Sequence, residues 1–396
     1  MTIKTALLAT VLLAGCAPVM TSEAPMSRAP TATVTQITPE RMPSMASADS
    51  ILFWDVERRS AAFRNMEASF PGQMVAAAPR PRELPRGAGL SERTQDLARA
   101  FMVESQAAGL MVLKDGRVAF EEYGLGLSPD QRWTSFSVAK SFTSTLLGMA
   151  IAEGRIESLS QPVTDILPEL TGTAYDGVTI EQVATMTSGV AWNENYTDPQ
   201  SDVARMLAVR PVPGESQAIT YARTLTRDAP AGEKFTYKTL ETNLLGLIVE
   251  RAVGSTLAEY AARTLVPAAG FEGELFWMQD LTGGSIAGCC LSLTLADYAR
   301  MGQFVLEGGE GRLPDGWFAK AGAQQVGFGN GFGYGYQWWT YPGGAFGAQG
   351  IFGQAVTILP DKDVVVAVIS NWDAPTDSAK RAAFQRLVAT IGSDYE

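Results

Sequence analysis

The sequence predicts an α+β fold, in which an antiparallel sheet flanked by helices is joined to a mainly helical region. Three observations predict it. Gly109 to Gly124 alternates apolar residues on both sides of Asp115-Gly116, the composition of a β-hairpin and its turn. From Phe136 to about Phe304 apolar residues recur mainly at helical spacing, with long loops between. The remainder returns to short apolar runs punctuated by glycine and proline. Two strands alone are marginally stable, so the hairpin and the C-terminal strands are expected to share one sheet. The functional cleft is expected where the two parts meet.

In chain order, residues 1–15 read as a processing signal: Lys4 is followed by the apolar stretch Ala6 to Leu13, too short to span a membrane comfortably. Leu13-Ala14-Gly15-Cys16 is similar to a bacterial lipobox, so Cys16 is expected to be lipidated. An ordinary secretory signal beside a chance cysteine is the alternative. By resemblance to known sorting signals, Ala17 favours the outer membrane, which places the protein on the periplasmic face of that membrane. Residues 16–48, rich in Pro, Thr, Ser, Ala and Met, read as the lipidated N-terminus and a flexible tether. Residues 49–396 form one domain, with an α/β part over about 49–135 and 330–396 and a mainly helical part over about 136–329.

Within that domain, Ile51 to Arg59 is a short packed lead-in and Ala77 to Pro81 a loop. Glu92 to Glu104 is a helix with Leu97, Phe101 and Met102 on its apolar face. After the hairpin, Ser137 to Ala152 is an apolar helix closed by Gly154, with Thr134 and Ser135 as candidate N-caps. Further helices are expected at Thr179 to Thr187, Leu240 to Ala252 and Thr294 to Leu306. Gly333 to Trp339, Gly353 to Leu359 and Val364 to Ser370 read as strands, the last two joined by a turn at Pro360 to Asp363. Ser378 to Ile391 is a closing helix.

Composition narrows the function. A net charge of −11 without a basic run disfavours nucleic acid and anionic lipid surfaces, leaving the lipid anchor as the membrane contact. The chain has no histidine and no C-x-x-C pair, so neither a transition-metal site nor a cofactor is expected. Cys289 and Cys290 are adjacent, a spacing that rarely forms a disulfide, and read as buried small hydrophobes. Nothing in the sequence sets an oligomeric state.

Without histidine, a nucleophilic serine needs another base. Ser137-Val138-Ala139-Lys140 is the chain's one S-x-x-K match. At a helix start it sets the amine one turn beyond the hydroxyl, on the same face. The lysine sits on an apolar helix, where burial lowers its pKa and suits it to act as a base. The Ser137 N–H, in the first turn, is free to face an oxyanion.

Three motifs then resemble the serine β-lactamase-like hydrolases, a family spanning class C β-lactamases, family VIII carboxylesterases and 6-aminohexanoate-oligomer hydrolases. They are Phe136-Ser137-Val138-Ala139-Lys140-Ser141, Tyr237-Lys238-Thr239 leading into Asn243, and Gly350-Ile351-Phe352-Gly353-Gln354. Met186 to Val190, with Ser188-Gly189, is a further hallmark. The resemblance runs from about Gly109 to Ile391 and is nearest to the 6-aminohexanoate-oligomer branch. It implies a β-lactamase/transpeptidase-like fold and catalysis by Ser137, Lys140 and Tyr237. It also implies an oxyanion hole from the Ser137 and Ile351 N–H groups, and substrate contacts from Tyr196, Gly350 and Trp338. Thr239 stands where the family has Asn or Ser. Ala348 and Gln349 stand where β-lactamases have the Lys and Thr of K-T-G, which removes a cation that holds a substrate carboxylate. The resemblance thus implies an esterase or amidase acting on a small-molecule ester or amide. A D,D-peptidase or β-lactamase, or a catalytically silent envelope protein that binds a ligand, are the alternatives.

Overall fold

The computed structural model describes residues 32–39 and 50–396; Cys16 and the signal segment lie outside them. The hairpin and the C-terminal strands do share a sheet. Its eight strands run, edge to edge, Arg117–Tyr123, Ala107–Lys114, Val364–Ser370, Ala355–Leu359, Phe346–Gln349, Trp339–Thr340, Phe332–Tyr334 and Val326–Gly329. Every neighbouring pair is antiparallel. Successive side chains point to opposite faces, so the unbroken apolar run Val364 to Ile369 buries the centre of this sheet on both faces. Val364, Val366 and Val368 join Leu110, Val112, Phe101, Phe384 and Ile391 in one layer, under the helices Glu92–Glu104 and Ser378–Ser393. Val365, Ala367 and Ile369 point the other way, into the main core with the helix Leu295–Leu306. Of the residues expected on the Glu92–Glu104 apolar face, Phe101 and Met102 are buried, whereas Leu97 is exposed.

Three expectations need correction. Val34–Ile37, within the stretch read as tether, is a strand paired with Gly72–Val75. It belongs to a second antiparallel sheet, completed by Leu275–Met278, Leu291–Leu293 and Trp133–Thr134. These strands have two to four residues each and find their partners far along the chain, so local pattern could not announce them. Second, Gly333 to Trp339 is not one strand. The chain turns at Gln337, whose φ is +65°, and pairs Trp339 back onto Tyr334. Gln337 is held there from three sides: its backbone carbonyl accepts from Ser141 Oγ (2.7 Å), its Oε1 from Thr242 Oγ1 (2.6 Å), and its Nε2 donates to the Ala184 carbonyl (2.8 Å). Third, Cys289 and Cys290 are joined by a disulfide. The backbone leaves the extended form there, with Cys290 at φ +82°.

The helices behave as their ends dictate. Thr179 and Gln182 form a reciprocal capping box at Ile180–Ala184, and Gly254 closes Thr239–Val253 in the left-handed region. Among the described residues no helix is long and apolar enough to cross a membrane.

Gly353 is the glycine on which the third motif depends. Its φ is +96°, and a Cβ there would lie 2.3 Å from the Trp372 indole. Gly353→Ala is expected to cost at least about 2 kcal/mol, from strain and overpacking together. A urea-unfolding midpoint equal to that of the parent protein would contradict this.

Candidate active site

The second sheet delivers the nucleophile. Trp133–Thr134 ends at Ser135, whose N–H donates to the Leu291 carbonyl (2.8 Å) and whose Oγ accepts from the Leu291 N–H (3.1 Å). The next residue, Phe136, has φ +42°, an uncommon value for a residue with a Cβ. Its ring is wedged between Phe63 and Phe352, with centroids 5.1 and 5.2 Å away, so aromatic packing holds the sharp turn. A 3-10 turn, Phe136–Val138, carries Ser137 and leads into the helix Ala139–Ala152 with Lys140 near its start. Neither Thr134 nor Ser135 caps by side chain; Ser135 Oγ instead donates to the Phe136 carbonyl.

Lys140 is 1% exposed, and burial lowers its pKa from 10.5 to about 8, against a smaller opposing effect of Glu194. Its Nζ donates to the Gly288 carbonyl (2.6 Å) and to Thr239 Oγ1 (3.1 Å). A neutral amine has two N–H bonds and one lone pair. Both hydrogens are taken, and the lone pair is left over. Nζ also lies 5.2 Å from the centre of the Tyr237 ring. The Tyr237 phenol shares the smaller cavity with the Ser137 side chain, whose proximity acts to lower the phenol pKa. Burial holds its pKa well above the usual tyrosine value, and the Glu194 charge adds to this. Tyr237 stacks on Trp339 at 5.7 Å and 22°.

Gly350 and Ile351 lie beside this group. A Cβ on Gly350 would come within 2.6 Å of the Ser135 carbonyl, so the glycine lets the third motif approach the nucleophile turn itself. The Gly350 N–H is used by Gln354, but the Ile351 N–H has no protein acceptor among the described residues. Ser137, Tyr196 and Ile351 line two adjoining cavities, of about 640 and 410 Å³.

Ser137, Lys140, Tyr237, Tyr196, Gly350 and Ile351 are thus brought together. Trp338 is not. It is fully buried, packed edge-on against Phe318 and Phe346, and its neighbour Trp339 faces the cleft instead. The turn at Gln337 reverses which of the two indoles points outward. Asn243 supplies no amide to the cleft; its Oδ1 accepts from the Gly288 N–H (2.8 Å), steadying the turn whose carbonyl holds Lys140.

Two charged residues escaped sequence reasoning. Glu194 collects four donors: Trp192 Nε1, Tyr196 OH (2.7 Å), the Thr239 N–H (3.0 Å) and Thr239 Oγ1. Arg381, from the closing helix, lines the smaller cavity beside Tyr237. It donates from Nη2 to the Gly350 carbonyl (2.7 Å) and rests on the Trp372 ring, while Nη1 is buried without a hydrogen-bond partner among the described residues. Burial lowers its pKa to about 10, still well above neutrality. A cation therefore stands beside the third motif, although Ala348 and Gln349 carry none. Glu194 was one acid in a polar loop and Arg381 one base on an amphipathic helix. Neither position is distinguished in the sequence.

Comparison with known proteins gives the family and the fold. The sequence profile of the Beta-lactamase family matches residues 94–390. The chain belongs to that family. It is 34% identical over 307 residues to a 6-aminohexanoate-dimer hydrolase of Paenarthrobacter ureafaciens, covering 72% of this chain and 78% of the relative. A Bacillus anthracis structure assigned as a 6-aminohexanoate-dimer hydrolase superposes with a TM-score of 0.75 at 20% identity, over 90% of this chain and 98% of the other. A class C beta-lactamase superposes with a TM-score of 0.60 at 17% identity, over 76% of this chain and 95% of the other. The protein is a serine hydrolase with the β-lactamase/transpeptidase-like fold.

Thr239 links Lys140 to Glu194. Thr239→Val keeps the shape and removes the hydroxyl, leaving buried polar groups short of a partner. A destabilisation of about 1–3 kcal/mol is expected, with Thr239→Ser close to the parent. Equal unfolding curves for Thr239→Val and the parent would show that the link is not made.

Proposed function

We propose that this serine hydrolase is an esterase or amidase working through an acyl-enzyme on Ser137, with Lys140 and Tyr237 as its proton carriers. The observation that carries this reading is the buried Lys140, whose two N–H bonds are taken by Gly288 and Thr239. Its lone pair is free to receive, directly or through Tyr237, the proton that Ser137 loses. Ser137 Oγ then bonds to the substrate carbonyl carbon. The Ser137 and Ile351 N–H groups stabilise the oxygen that becomes negative. Collapse of the tetrahedral intermediate breaks the bond to the alcohol or amine, which takes its proton from Tyr237. Water, deprotonated by the same groups, releases the acyl group as a carboxylate and restores Ser137. The Glu194 carboxylate near the site favours a protonated tyrosine and accepts from the Thr239 hydroxyl.

A D,D-peptidase or β-lactamase reading draws support from Arg381, a cation able to meet the carboxylate of such substrates. Labelling of Ser137 by a fluorescent penicillin would favour it. A silent ligand-binding protein would give neither that label nor any other covalent adduct.

The deciding test uses a chain that begins before Ala32, to keep the Val34–Ile37 strand. A fluorophosphonate probe is expected to add once to the parent protein and not to Ser137→Ala. Because the Lys140 pKa is lowered by burial to about 8, the base form is scarce below that pH and predominates above it. Plots of kcat/KM against pH should therefore rise through an acidic limb near 8. Lys140→Met should abolish that limb and reduce turnover about 10²–10⁴-fold. A parent-like profile in Lys140→Met would remove the amine from the mechanism.

We place the protein in the cell envelope, anchored through lipid on Cys16. The Cys289–Cys290 disulfide fits an oxidising compartment and supports export. Cys16→Ser should shift the protein from the membrane to the soluble fraction; unchanged fractionation would refute the anchor.

A further inference from the structure

Two cavities meet at the nucleophile, and they differ in chemistry. The smaller, of about 410 Å³, holds Tyr237, Glu194, Gln349 and Arg381. Tyr237 borders this cavity and not the other. If Tyr237 hands a proton to the departing group, that group leaves into the smaller cavity. The acyl group must then lie across Ser137, in the larger cavity of about 640 Å³.

The walls of the larger cavity are apolar. Leu52, Phe70, Phe136, Val203, Met278 and Ile286 form much of them. The Cys289–Cys290 disulfide faces the same space and, being oxidised, presents sulfur without an S–H donor. Among the described residues, the charged ones that border it are Asp198, half-buried, and Arg205, exposed. An acyl group ending in an ammonium or carboxylate would place that charge among hydrocarbon, at a high desolvation cost. A space of this size accommodates far more than an acetyl group.

We propose that the larger cavity is an acyl pocket for extended apolar acyl chains, so that the substrates are esters or amides of medium- to long-chain fatty or arylalkyl acids. This rests on the acyl-enzyme reading above. It assigns specificity to the Asp202–Ala208 helix and the Ile51–Phe53 lead-in, together with Ile286 and the disulfide of the turn at 286–290, which wall the pocket.

The test is a series of p-nitrophenyl esters, from acetate through butyrate and octanoate to decanoate, each below its solubility limit and without detergent. The leaving group is constant, so only the acyl pocket is read. Each methylene buried should raise kcat/KM up to about fourfold, and octanoate should exceed butyrate at least tenfold. Ala204 lies on the pocket wall, on the Asp202–Ala208 helix. Ala204→Trp should narrow the pocket and lower octanoate turnover at least tenfold, leaving acetate within about twofold. Ala208→Trp, at an exposed position on the same wall, provides a second variant should the first fail to fold. A flat or falling series in a protein that still takes one fluorophosphonate adduct would overturn the acyl pocket alone. Absence of the adduct on folded protein would overturn the acyl-enzyme reading and the pocket with it.

Discussion

The site is organised around one constraint: an amine buried in an apolar helix must find acceptors. Lys140 has lost its water, and burial makes its charged form costly. Thr239 Oγ1 and the Gly288 carbonyl replace that water. Each of them must be held in turn. Gly288 is fixed through its N–H by Asn243, which projects from the same helix that carries Thr239. Thr239 is fixed by Glu194 through both backbone and hydroxyl. One buried amine therefore binds together the nucleophile helix, the Thr239–Val253 helix, the turn before the vicinal disulfide and the loop around Tyr196.

The second sheet supplies the remaining geometry. Ser135 exchanges two hydrogen bonds with Leu291, one residue beyond the disulfide, so the nucleophile turn and the Gly288 turn share a single anchor. The strained backbone at Phe136 is tolerated because Phe63 and Phe352 close on its ring. Phe352 belongs to the third motif, and Gly350 of that motif contacts the Ser135 carbonyl. Packing on both sides thereby holds Ile351 on the wall of the cavities that Ser137 also lines, the preorganisation that the proposed oxyanion hole requires.

Charge is divided across the cleft. Glu194 lies under Tyr237 and Thr239, while Arg381 lies beyond Tyr237 and against Gly350. The carboxylate disfavours a phenolate and the guanidinium favours one, so the tyrosine is placed between opposing influences on its proton. The larger cavity, by contrast, has its charges at the border.

Much of this was legible in the sequence, for identifiable reasons. The hairpin at Asp115-Gly116, the helix Glu92–Glu104 and the strand Val364–Ser370 follow from local periodicity, and the structure has all three. Ser137 and Lys140 were visible because three residues of helix place them on one face. Their distance from Tyr237 and Ile351 along the chain made those two accessible through family motifs alone. The strand Val34–Ile37 was hidden because its partner lies elsewhere in the chain. Trp338 and Trp339 could not be told apart, since a left-handed residue at Gln337 decides which indole faces the cleft.

By itself, then, the sequence determined that no histidine could serve as base, that a serine and a lysine share a helical face, and that strands from both ends must meet. The first two depend on residue type and short spacing, and the third on the marginal stability of two strands alone. The tertiary structure alone decided that Glu194 braces the threonine, that Arg381 returns a cation to the third motif, and that two adjacent cysteines close a ring on the pocket wall. The first two depend on groups brought together by packing; the third depends on the left-handed backbone at Cys290, and no local pattern encodes either.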